Sequence, residues 1–283
     1  MLKTGFALST KLRGDFNSEL EMLKSCGFDC VDTQIFVDTD TELFKFSDAD
    51  FEKSVIEYKN KIQGAGLEIY QSHGPWRFPP MDSTPEERDE RFAVMEKSLY
   101  GCRLLESPRM VIHPLMPFGM DDTGKEQEMW DINIDFYSRL CKVAEREKVI
   151  ICFENMPMPK LSLASSADTL RFVKAIDSPY FKVCLDTGHS EICGVPAGEA
   201  VSIIGKEYLE TLHIHDNDGR MDWHWLPYMG VTDWEKFRNA LKSIDFEGCV
   251  SLETDIRNGD KMPEEIFEHQ RKSLAMIAQH LAK

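Results

Sequence analysis

Val149-Ile150-Ile151-Cys152-Phe153-Glu154 sets five apolar residues in an unbroken row and stops on a carboxylate. A run this short, without polar alternation, suits a strand covered on both faces, as in a parallel sheet flanked by helices. Working outward from it, similar runs recur at intervals of roughly 30 to 40 residues, each followed by a longer amphipathic stretch. The spacing predicts strands over Thr4–Leu8, Cys30–Thr33, Glu68–Gln71, Met110–Ile112, Val149–Phe153, Lys182–Leu185, Thr211–Ile214 and Cys249–Leu252. Helices are predicted near Asn17–Cys26, Asp50–Gly64, Pro85–Glu106, Glu126–Glu147, Ala167–Ile176, Gly198–Ile204, Thr232–Ser243 and Pro263–Ala282. Ser83-Thr84-Pro85-Glu86-Glu87 carries a readable helix start: a capping hydroxyl, a first-turn proline and acidic residues at the positive end of the helix dipole.

Eight βα units favour closure into a (β/α)8 TIM barrel, and one such domain accounts for residues 1–283, since barrels of this kind run to about 250 residues. An open doubly wound sheet would carry a glycine-rich phosphate loop after its first strand, and Gly5-Phe6-Ala7 is no such loop. Hydrophobic residues at 42% and charged residues at 29% exclude a disordered chain. The apolar runs are strand-sized, far below the roughly 20 residues of a membrane span, so no membrane association is expected. The start, Met1 to Leu8, lacks a basic, apolar and small-residue leader pattern and reads as the first strand. The eight cysteines form no CxxC pair, and Cys152, Cys184 and Cys249 fall in predicted strands, which points to reduced core thiols and a cytoplasmic location. The net charge of −16 disfavours nucleic acid as a partner, although bound divalent cations would reverse the field locally.

In such a barrel the chemistry sits at the C-terminal ends of the strands. Here six predicted strands end on ionisable residues: His73, His113, Glu154, Asp186 with His189, His213, and Glu253. Taken singly, a strand-end histidine bonds a loop carbonyl and a strand-end aspartate caps the next helix. Gathered at one rim, their carboxylates would repel strongly without a cation to balance them. Carboxylate and imidazole donors suit Zn²⁺, Mn²⁺, Co²⁺ or Mg²⁺, and the lack of cysteine at these positions argues against a thiolate-rich structural zinc site. His213 and His215, two apart on a strand, face the same side and compete for the ligand role.

Phe153-Glu154-Asn155, Cys184-Leu185-Asp186-Thr187-Gly188-His189, His213-Ile214-His215-Asp216-Asn217 and Leu252-Glu253-Thr254 resemble, in order, the signatures of the xylose-isomerase-like barrels, a superfamily joining sugar epimerases and isomerases to endonuclease IV. The resemblance implies that Glu154, Asp186, His213 and Glu253 hold one metal, with Glu154 and Glu253 doubling as the acid and base, and that His189 contacts substrate. It favours His213 over His215, because the ligand heads the superfamily's His-x-x-Asp pattern. The endonuclease branch implies more: His73 and His113 match its first-metal histidines, and His189, Asp222 and His224 its third-metal ligands, giving one to three ions bridged by Glu154.

The activity so implied is isomerisation or epimerisation of a sugar or sugar phosphate, by proton abstraction beside a metal-polarised carbonyl through an enediolate. His73, Trp76, Arg77, His189, His215, Trp225 and Arg257 are the candidate substrate contacts, with Phe6, Phe36, Phe78, Trp223 and Tyr228 as further aromatic walls. Arg77, Lys160, Arg220 and Arg257 are candidate partners for an anionic group on the substrate. One alternative is a multinuclear phosphoesterase of the endonuclease IV kind, which the acidic balance opposes. A second is a non-catalytic sugar-binding barrel. Homo-oligomerisation is expected from the resemblance alone.

Overall fold

The computed structural model describes residues 1–8, 15–254 and 261–283. Eight strands form one parallel sheet: β1 Lys3–Leu8, β2 Cys30–Thr33, β3 Glu68–His73, β4 Arg109–Ile112, β5 Ile150–Glu154, β6 Phe181–Asp186, β7 Leu209–His213 and β8 Cys249–Leu252. Their order is β7-β6-β5-β4-β3-β2-β1-β8. A parallel bridge between Ile214 and Leu252, with Ile214 N–H donating to Ser251 O (2.9 Å) and Glu253 N–H to Ile214 O (3.0 Å), joins β7 to β8 and closes the (β/α)8 barrel. Among the described residues, no helix is long and apolar enough to cross a membrane.

The eight predicted helices are present as Phe16–Cys26, Asp48–Gly64, Pro85–Leu105, Glu126–Glu147, Ser166–Ile176, Ala197–Tyr208, Trp234–Ser243 and Glu264–Leu281. Thr84 starts the third as its sequence implies: its hydroxyl accepts from Glu87 N–H (3.2 Å) while the Glu87 carboxylate accepts from Thr84 N–H (3.1 Å). Two short helices were not anticipated, Glu42–Lys45 and Thr187–Ile192. The second begins directly at the end of β6, where Asp186 caps it by accepting from His189 N–H (2.7 Å). β3 runs two residues past its predicted end, because the ladder continues into polar residues at the rim that an apolar-run criterion leaves out.

Alternation along β5 shows how the sheet sorts its side chains. Phe153 points outward into the main core between strands and helices, 4.8 Å from the Phe172 ring and 5.5 Å from Phe181. Cys152 points inward, where Val111, Cys152 and Cys184 form one small cluster and Cys30, Tyr70 and Cys249 another. Small thiols fill the narrow barrel interior, and all eight cysteines are free. Glu154, the next inward position, emerges at the rim.

Two bulges break this alternation. The β2–β3 register jumps so that Val31 pairs with Ile69 but Asp32 with Gln71, and the β6–β7 register so that Val183 pairs with Leu209 but Cys184 with Thr211. An extra residue on β3 and on β7 re-aims everything after it. Gln71 and His73 follow one bulge, and His213 follows the other.

Candidate active site

Glu154, Asp186 and His213 end β5, β6 and β7, and Glu253 directly follows β8. Each offers a ligand atom within 4.8 Å of the others'. His213 Nδ1 is the hub, 2.9 Å from Glu154 Oε1 and 3.2 Å from Glu253 Oε2. The far side of the ring meets Asp32, whose Oδ2 lies 2.7 Å from Nε2.

Two further donor groups flank this one. His113 Nε2 lies 3.0 Å and His73 Nε2 3.8 Å from Glu154 Oε2, so Glu154 belongs to both sets. On the other side Asp222 gathers three imidazoles: His189 Nε2 at 3.2 Å, His224 Nε2 at 3.3 Å and His215 Nε2 at 3.5 Å. His215 also reaches Asp186 Oδ1 at 3.0 Å and stacks on His224, ring centroids 4.1 Å apart.

The rings are oriented for ligation. Nδ1 of His73, His189 and His224 lies 2.8, 2.8 and 2.7 Å from the carbonyls of Gly74, Asn155 and Glu253. A carbonyl only accepts, so each Nδ1 carries the proton, and in the neutral ring the Nε2 lone pair faces the cluster. His224 holds this pose at a left-handed φ of +48°, a conformation that costs energy away from glycine.

The electrostatics call for a cation. Among the described residues no lysine or arginine pairs with Glu154, Asp186 or Glu253, and the first two are fully buried. Asp186 Oδ2 is buried without a hydrogen-bond partner, and Glu154 Oε2 meets only the imidazoles of His113 and His73, an arrangement that is costly unless something else coordinates these oxygens. Without metal, protons on His213, His189 and His224 supply the balance. Burial pushes the Glu154 carboxyl up, but the charges of His213 and His113 outweigh it and hold the group well below the usual range. Burial works against charging His213, yet the carboxylates of Glu253 and Glu154 and the bond to Asp32 raise it well above an ordinary histidine. His189 is raised to about 10 and His224 to about 11, in each case against burial, by Asp186 and Asp222 for the first and by Asp222 and Glu253 for the second. These oxygen and imidazole donors fit Zn²⁺, Mn²⁺, Co²⁺ or Mg²⁺. One cysteine does approach, since Cys184 groups with Glu154 and His213, but burial pushes its thiol well above the ordinary range and leaves it a poor ligand.

Above the donors opens a cavity of about 640 Å³. His73, His113, Glu154, His189, Asp222, His224 and Glu253 lie along it; Val37, Trp76, Phe78 and Met120, Met156, Met158 and Met221 supply apolar wall. Gln34 and Arg220 are the other polar lining residues among those described.

Several candidates lie elsewhere. Arg77 turns away from the cavity to Asp82 and Glu90, 3.1 Å from each. Lys160 pairs with Asp121. His215 belongs to the Asp222 donor group but is fully buried and does not line the cavity, and Trp225 stands outside the lining, parallel to Trp223. Phe6 and Phe36 are core residues, and Tyr228 does not line the cavity. Arg257 falls outside the described residues. Sequence reasoning missed Asp32, Gln71, Gln34 and the methionine wall; the one available signal was an acidic residue inside the buried strand Cys30–Thr33. Asp216 shapes the loop, accepting from Trp234 Nε1–H (2.9 Å) and from the backbone of Gly230 and Thr232.

An uncharacterised protein of Methanocaldococcus jannaschii is 28% identical over 208 residues, 68% of each chain. A D-psicose 3-epimerase of Ruminiclostridium cellulolyticum is 25% identical over 253 residues, 87% of this chain and 80% of the other. Among solved structures, D-psicose 3-epimerase with D-tagatose from Clostridium cellulolyticum H10 matches with a TM-score of 0.80 over all of both chains at 20% identity. The IOLI protein with a bound zinc atom matches with a TM-score of 0.73 over 99% of this chain and 96% of the other, at 18% identity. The family described as xylose isomerase-like TIM barrel matches residues 20–277, and the chain belongs to that family.

Proposed function

We propose that the chain is a divalent-metal-dependent isomerase or epimerase acting on a sugar or sugar phosphate. The observation that carries this reading is the placement of two cavity-lining carboxylates, Glu154 Oε1 and Glu253 Oε2, within 2.9 and 3.2 Å of one imidazole nitrogen, Nδ1 of the buried His213. The 3-epimerase relative, matched over most of both chains, supports it.

A divalent ion held by Glu154, Asp186, His213 and Glu253 would polarise a carbonyl and acidify the adjacent C–H bond. Proton movement falls to the chain's own carboxylates. Glu253, its side chain 15% exposed, faces the cavity and takes a long contact from Gln34 Nε2 (3.5 Å). Glu154, 1% exposed, reaches the same imidazole from the end of β5. One carboxylate removes the proton from one face of the carbon and the other returns it on the opposite face, which inverts the centre. His189 and Trp76 orient the substrate, and the apolar walls exclude water from the carbanionic centre. The test is solvent exchange: metal-loaded protein in D2O with ketoses, inosose-like polyols and sugar phosphates, followed by NMR. Deuterium should enter the carbon beside the carbonyl, and Glu154→Gln and Glu253→Gln should each lose roughly a hundredfold or more while retaining fold. A metal-loaded protein that exchanges no substrate proton refutes the reading.

Metal-dependent phosphoester hydrolysis is the second reading, favoured by the three donor groups and by Glu154 sharing two of them. Opposing it are the net charge of −16 and a cavity in which Arg220 is the one cationic lining residue among those described. Two or three ions per chain together with cleavage of abasic DNA or of a sugar phosphate would put this reading first.

A further inference from the structure

Asp32 is a carboxylate in the middle of the barrel, on β2, 1% exposed. Burying such a group is costly unless it is paired. Its Oδ2 has two partners: Gln71 Nε2 donates at 2.8 Å and His213 Nε2 lies at 2.7 Å, while Oδ1 has none. No lysine or arginine among the described residues pairs with it. Carboxylates face both ring nitrogens and each only accepts, Asp32 at Nε2 and Glu154 and Glu253 at Nδ1; a cation held by Glu154 and Glu253 would displace the Nδ1 proton, leaving His213 with its proton on Nε2, toward Asp32, and its lone pair on Nδ1. Nδ1 is the atom facing Glu154 and Glu253.

We infer that Asp32 is a positioning residue that fixes His213 as an Nδ1 metal ligand, with Gln71 holding Asp32 in turn. The orientation is opposite to that of His73, His189 and His224, which are pinned through Nδ1 by backbone carbonyls and present Nε2. No carbonyl performs this service for His213, whose outer nitrogen points across the barrel interior; a side chain must do so, and only an inward residue of another strand reaches. The two bulges supply the register, one bringing Gln71 opposite Asp32 and the other turning His213 inward. A carboxylate behind a ligating imidazole fixes its tautomer and ring plane and raises its basicity. The inference rests on Glu154, Asp186, His213 and Glu253 forming a metal site, and not on the reaction assigned to it.

The test uses full-length protein stripped of metal and reloaded with Co²⁺ or Zn²⁺, with dissociation constants from chelator competition. Asp186→Asn identifies the Co²⁺ absorption band that belongs to this site. Asp32→Asn, nearly isosteric, and Asp32→Ala should weaken that site by roughly ten- to hundredfold and shift its band, with far-ultraviolet circular dichroism unchanged. Gln71→Met should give a smaller loss of the same kind. In Zn²⁺-loaded protein carrying ¹⁵N-histidine, the ligating nitrogen of His213 should be Nδ1, with the Nε2 proton shifted downfield by its carboxylate partner. Ligation through Nε2, or affinities within twofold of wild type with an unmoved band in both folded Asp32 variants, overturns the inference. Wild-type protein that takes up no Co²⁺ at this site overturns the metal-site reading beneath it, a result distinct from tight binding that ignores Asp32.

Discussion

Gly188, in the Asp186-Thr187-Gly188-His189 turn, has no room for a side chain. A Cβ there would lie 2.0 Å from His215 Cε1, 2.4 Å from its Nδ1 and 2.8 Å from Asn217 Nδ2. Contacting heavy atoms need about 3.5 to 4.0 Å, so in Gly188→Ala the imidazole must retreat by about 1.5 Å. It has nowhere to go: it is fully buried, stacked on His224 at 4.1 Å, with Asp186 Oδ1 3.0 Å from Nε2. Overpacking of this kind costs about 1–3 kcal/mol. At about 2–4 °C per kcal/mol for a chain of this size, the melting temperature should fall by roughly 2–12 °C. The displaced ring also disturbs the Asp222 donor group, so metal bound there should weaken by roughly tenfold, the size of a lost supporting contact. Calorimetry and metal titration read the two effects, and Gly64→Ala, whose Cβ meets nothing within 4 Å, serves as the helical control and should be neutral or slightly stabilising. A Gly188→Ala protein with wild-type melting temperature and metal content would refute the packing argument and the coupling of His215 to the donors.

Chelation with EDTA should lower the melting temperature, and returning Zn²⁺, Mn²⁺ or Co²⁺ at a thousandfold excess over the dissociation constant should restore about 4 kcal/mol; a melting curve indifferent to both would remove the metal from the account. Arg271 and Glu19 form a buried pair between the helices Phe16–Cys26 and Glu264–Leu281. Arg271→Met leaves burial free to push the Glu19 carboxyl up and should cost about 3–5 kcal/mol, whereas the double variant with Glu19→Leu should regain most of it; urea titrations of the cycle decide. Thr84→Ala removes one half of the capping box and should cost about 1 kcal/mol in the same assay.

What the sequence made legible was whatever follows from an apolar run and its polar stop. Glu154, Asp186, His213 and Glu253 each end such a run, and the barrel brings their ligand atoms within 4.8 Å of one another. Partners chosen in three dimensions stayed hidden. Arg77 reads as a pocket cation until the turn and helix that follow deliver Asp82 and Glu90 to it. His215 follows His213 toward the rim, but alternation along the strand does not say that it joins Asp222, His189 and His224 rather than Glu154 and Glu253, because those partners come from other loops. The methionine wall carries no pattern at all, since Met120, Met156, Met158 and Met221 come from three separate loops.

Asp32 is the most instructive omission. Read along the chain, Cys30-Val31-Asp32-Thr33 is a four-residue strand with one misplaced acid, and alternation alone says merely that Cys30 and Asp32 share a face. Its meaning lies in the two bulges, because a register without them would carry Gln71 and His213 to the opposite face, and one residue of slip reverses every side chain after it. Bulges leave no reliable mark in composition, yet they decide which imidazole nitrogen is left bare. The rim that the sequence reveals is therefore a list of donors; the barrel interior beneath it, built from Asp32, Gln71 and the thiols that leave them space, determines how one of those donors points.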